Sequence, residues 1–233
     1  DLIPYNPCTK VIQPKFNRTK MSCYDEETSK KLINCLLQKA PVKYKCFVIL
    51  AILTGFRRGE LVGLHWDDIN FKNKTITVNR SAYYVSGQGI KEKEPKSETS
   101  KRTITVPNIC FALLKQWRAE QGKIRLALGD KWQDNKNIFT TNKGNIMNLA
   151  TGPKWFSNFL KKNGFTHIRF HDLRHTYATI HAENGISPRY VQEMLGHAKL
   201  EFTLKYYTHI TEKMSEMAKK ALETTVTFDE FCA

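Results

Sequence analysis

Apolar residues recur at intervals of three and four along much of the chain, the spacing that places them on one face of a helix. Residues 22–40 show this pattern after Ser22 and an acidic first turn, so they predict a helix capped by Ser22. Residues 42–54 are apolar almost throughout and predict a buried helix that ends near Gly55. Residues 57–64 predict a short helix beyond that break.

The spacing changes to alternation at two segments that are rich in β-branched residues. Residues 74–85 and 101–107 predict strands of a small antiparallel sheet. The lysine-rich segment 86–100 is expected to connect the two strands as a loop.

Helical spacing returns after the second strand. Residues 108–128 and 153–163 predict helices, the second closed by Gly164, and residues 137–141 permit one more strand between them. The last third is helical, with breaks at Gly185, at Ser187 and Pro188, and at Gly196. Together the patterns predict an α+β fold, mainly helical with a small antiparallel β-sheet.

Both ends of the chain differ from this central part. Residues 1–20 contain three prolines without helical periodicity and predict an extended interdomain linker. The absence of an initial Met leads us to expect a further domain upstream. Residues 213–233 carry an apolar stripe at helical spacing and predict a tail helix, so 21–212 form the predicted main domain.

The charge balance limits the kinds of partner. The 233 residues include 37 Lys and Arg against 22 Asp and Glu, a formal net charge of +15. An excess of this size is typical of proteins that bind nucleic acid or an anionic membrane, although it also promotes solubility. The longest apolar run, 46–56, is shorter than the ~20 residues of a membrane-spanning helix. No segment forms a clean basic amphipathic helix, which disfavours binding to a membrane surface.

The cysteines predict reduced thiols rather than a disulfide framework or a zinc site. Six are present without CxxC spacing, at Cys8, Cys23, Cys35, Cys46, Cys110 and Cys232. This usage, without a signal peptide, is typical of a cytoplasmic protein.

Candidate chemistry is concentrated in the segment "HDLRH". In a helix, His171, Arg174 and His175 stand at i, i+3 and i+4 and therefore project from one face. Arg57 follows a buried helix, where a cation is costly unless it is paired or faces a ligand. Glu60, one turn later, could orient Arg57 while leaving part of its guanidinium free for phosphate oxygens. Arg57 and Arg174 could then hold one phosphodiester.

Each of these signals, taken singly, also fits a purely structural role. An Arg–Glu pair is often a structural ion pair, and a histidine on a helix is often a packed core or surface residue. Glu193 and His197 stand at i, i+4 and, with the "HDLRH" histidines, raise the alternative of a metal hydrolase. Gly196 interrupts that helix and no cluster of carboxylates accompanies the pair, so we expect no metal site.

The order and spacing of four segments carry a more specific signal. "TGFRRGELVGLHWDDI", "PKSETSKRTITVP", "HDLRHTYAT" and "LGHAKLEFTLKYYTH" together resemble the tyrosine recombinase (phage integrase) family. The resemblance covers roughly residues 21–212 and implies the catalytic fold of that family. It also implies a core-binding domain upstream of the residues present in this chain.

The resemblance assigns roles to individual residues. It implies catalytic Arg57, Lys96, His171, Arg174 and His197, with Glu60 as a supporting acid. For the nucleophile, a spacing of nine residues after the histidine selects Tyr206, whereas the "YTH" ending selects Tyr207 at a spacing of ten. We favour Tyr207, because the arrangement "TLKYYTH" is similar to that of conjugative-transposon integrases. His175 either supports the site or only packs the helix.

The reaction implied by the resemblance needs neither a metal ion, nor ATP, nor another cofactor. A tyrosine attacks the phosphodiester between cationic groups, Lys96 protonates the departing 5′ oxygen, and the 3′-phosphotyrosyl link is reversed by a second 5′-hydroxyl. The implied partners are double-stranded DNA at attachment or transposon-end sites and a homotetramer on synapsed duplexes, with no membrane. The implied location is the bacterial cytoplasm, at the nucleoid. Backbone phosphates are expected to meet Arg58, Lys91, Lys93 and Lys101.

Two other functions are kept as alternatives. A type IB topoisomerase would use a similar set of residues and form the same kind of adduct. A basic module that only binds DNA would account for the charge, although not for the order of the four segments. The tail helix is expected to dock either on a neighbouring protomer or on its own chain.

Overall fold

A computed structural model describes residues 6, 11, 23–94, 101–133, 135–207, 219, 222 and 223. The predicted linker, except for residues 6 and 11, lies outside the described residues, as do Lys96 and most of the predicted tail helix. Within the described part, no helix is long and apolar enough to cross a membrane.

Eight helices and five strands make up this part of the chain. The helices are α1 (Glu26–Lys39), α2 (Val42–Thr54), α3 (Arg58–Val62), α4 (Asn108–Leu128), α5 (Thr151–Lys162), α6 (Asp172–Glu183), α7 (Pro188–Leu195) and α8 (Glu201–Leu204). The strands are β1 (Ile69–Asn70), β2 (Thr75–Val78), β3 (Ser81–Val85), β4 (Gly89–Lys93) and β5 (Arg102–Thr105). Short 3₁₀ turns cover Trp66–Asp68 and Gly129–Lys131.

Helix α2 is the centre of the main core. Eight of its residues are buried, and it packs against α1, α4, α5 and α6. It ends at Gly55, whose φ of 63° is a left-handed conformation that favours glycine. The predicted buried helix and its end are therefore confirmed.

Helix α1 begins later than its sequence pattern predicts. Its N-cap is Asp25, whose carboxylate accepts a hydrogen bond of 2.7 Å from the backbone N–H of Thr28. The prediction that Ser22 caps this helix is wrong. The acidic residue next to the first turn supplies the acceptor instead.

Two small antiparallel sheets replace the single predicted sheet. Strand β2 pairs with β1 and with β5, in a register that places Thr75 opposite Thr105. This confirms the predicted pairing across the long connection. The predicted strand 74–85 is interrupted after Val78, because Asn79 and Arg80 turn to donate hydrogen bonds to the buried Asp68.

The second sheet is the hairpin of β3 and β4, which pairs Ser81 with Lys93. Strand β4 lies inside the lysine-rich segment that was expected to be a loop. The region 137–141 forms isolated bridges at Asn137 and Thr140 rather than a strand.

The C-terminal helices form a second, smaller apolar cluster. Its buried members are Tyr177, Ala178, Ala182, Val191, Leu195 and Tyr207. Helix α7 has Ser187 at its N-cap and Pro188 as its first residue, as predicted, and ends at Gly196 with a φ of 65°. The predicted α+β class is confirmed. The C-terminal end of α7 accepts hydrogen bonds from α6, from the residue before α3 and from β5.

Candidate active site

The break between α2 and α3 fixes Arg57 at the N-terminus of a short helix. The backbone N–H of Arg57 donates to Glu60 Oε2 (2.9 Å), and its Nη1 donates to Glu60 Oε1 (2.8 Å). The Arg57 side chain is 40% exposed, whereas Glu60 is buried. Glu60 therefore orients Arg57 as the sequence predicts, and part of the guanidinium faces outward.

A second arginine, Arg102 on β5, binds the same carboxylate. Its Nη2 lies 2.9 Å from Glu60 Oε2 and its Nη1 lies 3.2 Å from Glu60 Oε1. Burial alone would raise the pKa of Glu60, but the cations of Arg102, Arg174 and Arg57 lower it to about 2. Glu60 is consequently ionised at neutral pH.

Arg174 lies deeper than the other arginines, with only 3% of its surface exposed. Its Nη1 donates to the carbonyl of Gly55 (2.8 Å), and its Nη2 donates to the carbonyl of Leu195 (2.6 Å). Burial, followed by the charge of Arg57, lowers the pKa of Arg174 to about 9, so the group is still a cation at pH 7. Its place on α6 thus brings it next to the ends of α2 and α7.

The C-terminal end of α7 collects one hydrogen bond from each of the three arginines. Arg102 Nε donates to Met194 O (2.6 Å), Arg174 to Leu195 O, and Arg57 Nη2 to Gly196 O (3.2 Å). Carbonyls at a helix end have no partner within the helix and carry the negative end of its dipole. We call this arrangement the carbonyl triad, Met194–Leu195–Gly196.

His197 follows the carbonyl triad directly. Its Nδ1 lies 2.9 Å from the hydroxyl of the fully buried Thr203 on α8. Burial, then the cations of Arg174, Arg57 and Arg102, lower the pKa of His197 to about 3. At neutral pH the ring is therefore neutral, with Nδ1 engaged by Thr203 and one nitrogen left for a ligand.

The "HDLRH" segment starts α6, with His171 at the N-cap and exposed. The rings of His171 and His175 meet edge to face, with centroids 5.2 Å apart. Although His171 is exposed as a residue, partial burial of its ring and then the Arg174 cation lower its pKa. Burial and His171 lower the pKa of His175 to about 4. His175 Nε2 also lies 3.9 Å from the buried carboxylate of Asp172.

The two adjacent tyrosines point to different surroundings. The hydroxyl of Tyr206 hydrogen-bonds Nδ1 of His175, and Arg174 counteracts the burial that raises the pKa of its phenol. The hydroxyl of Tyr207 donates to the carbonyl of Ile186, and its ring lies in the second apolar cluster. The structure brings Tyr206, and not the favoured Tyr207, next to the "HDLRH" face.

An open groove of about 650 Å³ borders Arg57 and His171. Arg58, Tyr83 and Tyr84 line it from α3 and β3, and Arg169 lines it from the segment before α6. Lys91 and Lys93 are exposed on β4, and Lys101 is exposed at the start of β5. Lys96 lies outside the described residues.

The rival metal site has no support among the described residues. No three His, Cys, Asp or Glu side chains lie together there in a way that could hold a metal ion. Glu193 instead pairs with Arg189 at 3.3 Å. Cys23, Cys35, Cys46 and Cys110 are free thiols.

Arg102 and the carbonyl triad were not predicted from the sequence. A signal for Arg102 exists, since strand alternation places it on the same inward face as Ile104. A charged residue at an inward position of a strand is costly without partners, which makes it a candidate for a functional site. Nothing in the sequence indicates the triad, because backbone carbonyls belong to every residue.

Comparison with known proteins identifies relatives of the whole described domain. Residues 23–214 match the model of the phage integrase family. A tyrosine recombinase XerC-like protein of Caldanaerobacter subterraneus subsp. tengcongensis is 32% identical over 93% of this chain and 59% of its own length. The ICEBs1 integrase of Bacillus subtilis is 29% identical over 94% of this chain and 59% of its own length. The chain thus spans about three fifths of the length of these relatives.

Solved structures share the fold. The Tn1549 transposon integrase in complex with transposon right end DNA has a TM-score of 0.77 and 21% identity, covering 94% of this chain and 73% of its own. The XerA recombinase has a TM-score of 0.65 and 24% identity, covering 86% of this chain and 65% of its own. At these identities the likeness concerns the architecture.

Proposed function

Because this chain belongs to the phage integrase family, we propose that it is the catalytic part of a site-specific DNA recombinase that integrates or excises a mobile element. The observation that carries the proposal is the cluster of Arg57, Arg102 and Arg174 around the single carboxylate of Glu60. Three positive charges and one negative charge leave an excess of two. A phosphodiester carries one negative charge, and its pentacoordinate transition state carries about two.

The proposed reaction takes place where the guanidinium of Arg57 faces outward from this cluster. Arg57 and Arg174 bind the nonbridging oxygens of the scissile phosphate, and His197 donates a further hydrogen bond. A tyrosine hydroxyl attacks phosphorus and the bond to the 5′ oxygen breaks, giving a 3′-phosphotyrosyl link. Lys96 supplies the proton to the departing 5′ oxygen. His171 at the mouth of the site is the candidate base that accepts the phenolic proton, or else an acid or a donor that holds the phosphate.

We keep Tyr207 as the proposed nucleophile on the strength of the "TLKYYTH" segment. Its hydroxyl has to leave the Ile186 carbonyl when DNA binds, and catalytic geometry often forms only in the substrate complex. Tyr206 is the second candidate, because its hydroxyl already bonds His175, a base that burial keeps neutral. Only one of two consecutive residues of such a turn can face the phosphate at a time.

The partners follow from the same proposal. Double-stranded DNA occupies the groove beside Arg58, with Lys91, Lys93 and Lys101 on backbone phosphates. Exchange of strands between two synapsed duplexes uses four protomers, and the tail 213–233 docks either on a neighbouring protomer or on its own chain. Residues 1–20 join this catalytic part to a core-binding domain. An enzyme with this substrate works at the bacterial nucleoid in the cytoplasm.

Covalent trapping on a library of duplexes tests the proposal and needs no defined target sequence. The chain is incubated in EDTA with nicked duplexes that contain a randomised core, and protein–DNA adducts are captured under denaturing conditions and sequenced. We expect a 3′ adduct on a defined subset of sequences, in wild type and in Tyr206→Phe, and its loss in Tyr207→Phe.

The other outcomes are equally informative. Loss of the adduct in Tyr206→Phe alone assigns the nucleophile to Tyr206. If no adduct forms and both tyrosine variants bind duplex DNA as tightly as the wild type, the chain is a module that only binds DNA. Relaxation of a supercoiled plasmid by the wild type, without joining of two duplexes, indicates the type IB topoisomerase alternative.

A further inference from the structure

Arg102 has no open side from which it could reach a phosphate. It is 8% exposed, its guanidinium binds both oxygens of Glu60 and the carbonyl of Met194, and its charge lies 5.3 Å from the ring centroid of Phe56. A Cβ atom at Gly196 would lie 3.0 Å from its Nη1. The guanidinium is thus enclosed on the side that faces α7.

Its two partners belong to the two halves of the proposed phosphate site. Glu60 holds Arg57 through a hydrogen bond of 2.8 Å, and Met194 opens the carbonyl triad that precedes His197. Arg102 joins Glu60 to Met194 from a strand that carries neither, whereas Arg57 reaches the triad only at Gly196. We propose that Arg102 is a positioning residue, an inference that rests on the proposed function. It fixes the orientation of Arg57 through Glu60 and the position of His197 through the end of α7.

The physical reason lies in how one carboxylate is shared. The guanidinium of Arg57 takes Glu60 Oε1 and its backbone N–H takes Oε2, while the guanidinium of Arg102 spans both oxygens. Without Arg102, both carboxylate oxygens of Glu60 become available to the guanidinium of Arg57. A bidentate pair would draw this guanidinium inward, away from the phosphate. The carbonyl of Met194 would also lose its donor, which loosens the backbone just before His197.

A double-mutant cycle with Arg57 tests this coupling. The substrate is a nicked duplex recovered from the trapping experiment, and the variants are Arg102→Gln, Arg57→Lys and both together. We expect Arg102→Gln to slow adduct formation about tenfold to a hundredfold while DNA affinity stays within about twofold. In the Arg102→Gln background, Arg57→Lys should slow adduct formation by a clearly smaller factor than in wild type, because Arg57 is already displaced.

Arg80 provides a control for the loss of an arginine that pairs with a buried carboxylate. It binds the buried Asp68 and the carbonyl of Gly63, on the β3 side rather than on the α7 side. Arg80→Gln should lower the melting temperature as Arg102→Gln does and leave adduct formation by the folded protein unchanged. Equal loss of activity in both variants, or additive effects in the cycle, would overturn the proposal.

A measurement without DNA separates this proposal from the recombinase reaction itself. In histidine-labelled protein, NMR titration of His197 should show its pKa rising toward the ordinary value in Arg102→Gln, and not in Arg80→Gln, because a nearby cation and the local burial are both lost. An unmoved His197 pKa would overturn the positioning role even if the enzyme cuts DNA. A wild type that forms no adduct would contradict the proposed function, while the titration still decides the role of Arg102. If Arg102→Gln does not fold, Arg102→Lys replaces it, since it keeps the charge and loses the fork.

Discussion

At the scale of single residues, neighbouring groups determine the protonation state of each titratable side chain in the candidate site. Glu60 is ionised because arginines surround it, and His197 is neutral because burial and the same arginines oppose its protonation. Neither state follows from the residue type alone. The sequence predicts Arg57, Glu60, His171, Arg174 and His197 as one group, and the structure brings them together.

The depressed pKa of His197 makes stability depend on pH. In the folded chain its pKa is about 3, against ~6.5 in the unfolded chain, so between these values the unfolded state binds more protons. Stability from this group is complete above pH 6.5 and is lost as the pH falls toward 3. We expect urea unfolding to give about 1 to 2 kcal/mol less stability at pH 5 than at pH 7 from this group.

His197→Asn should remove the part of the stability loss between pH 7 and pH 5 that comes from the His197 imidazole. The control is His167→Asn, since His167 is exposed and hydrogen-bonds only Ser157 among the contacts that the described residues make. It should keep the wild-type pH profile. Identical profiles for His197→Asn and wild type would contradict the depressed pKa.

Gly196 adds a second residue-scale prediction. Its φ of 65° favours glycine, and a Cβ there would press on Arg102 Nη1. Gly164 shares the conformation, with a φ of 72°, but a Cβ there meets nothing within 4 Å. Both alanine variants should lose about 1–2 kcal/mol of stability from the left-handed backbone.

Only Gly196→Ala should also slow adduct formation, because it displaces Arg102 and the carbonyl triad. Chemical denaturation and the trapping rate, measured on both variants, check this. Equal trapping rates for the two variants would show that the contact with Arg102 has no effect on the site.

At the scale of elements, the sequence predicts the helices better than the strands. Helix α4 spans Asn108–Leu128, the range that its apolar spacing predicts. The segment 74–85 alternates throughout, yet the strand divides at Asn79 and Arg80, because both side chains donate hydrogen bonds to Asp68. The spacing of apolar residues does not predict such polar contacts. For the same reason, no local pattern shows that Arg102 reaches Glu60, 42 residues away along the chain.

The packing of α5 on α2 gives a prediction at this scale. Gly152 lies in the first turn of α5, and a Cβ there would lie 2.2 Å from Phe47 on α2. Gly122 lies inside α4, where a Cβ meets nothing within 4 Å. Gly122→Ala should therefore stabilise the protein by about 0.5–1 kcal/mol through helix propensity.

Gly152→Ala should instead destabilise it by about 1–3 kcal/mol, because the added methyl group overpacks the core. Melting temperatures and urea midpoints of the two variants measure both effects. A stabilised Gly152→Ala variant would mean that the two helices do not approach as closely as this.

At the scale of the whole molecule, the proposed function makes the net charge of +15 a determinant of how the chain binds DNA. Each cation that neutralises a phosphate releases a counterion and steepens the salt dependence of binding by about 0.9 in a double-logarithmic plot. The exposed residues Lys91, Lys93 and Lys101 are proposed to make such contacts.

Changing these three lysines to glutamine should therefore reduce the slope by about 2 to 3. Lys30→Gln with Lys31→Gln is a control, because these lysines of α1 already pair with Glu26 and Glu27. Fluorescence anisotropy with labelled duplex DNA at several salt concentrations measures the slopes. A slope that the triple variant leaves unchanged would place the DNA elsewhere on the protein.

The carbonyl triad also orders events during synthesis of the protein. Arg57 and its acceptor Gly196 are 139 residues apart, and Arg102 and Met194 are 92 apart. At ~5–20 residues per second, the ribosome delivers the acceptor of Arg57 about 7 to 28 s after the arginine itself. A nascent chain already carries the cations that attract DNA, but it has no fixed site until the last helices emerge. On the proposed function, strand cleavage would thereby be withheld until translation of the domain is nearly complete.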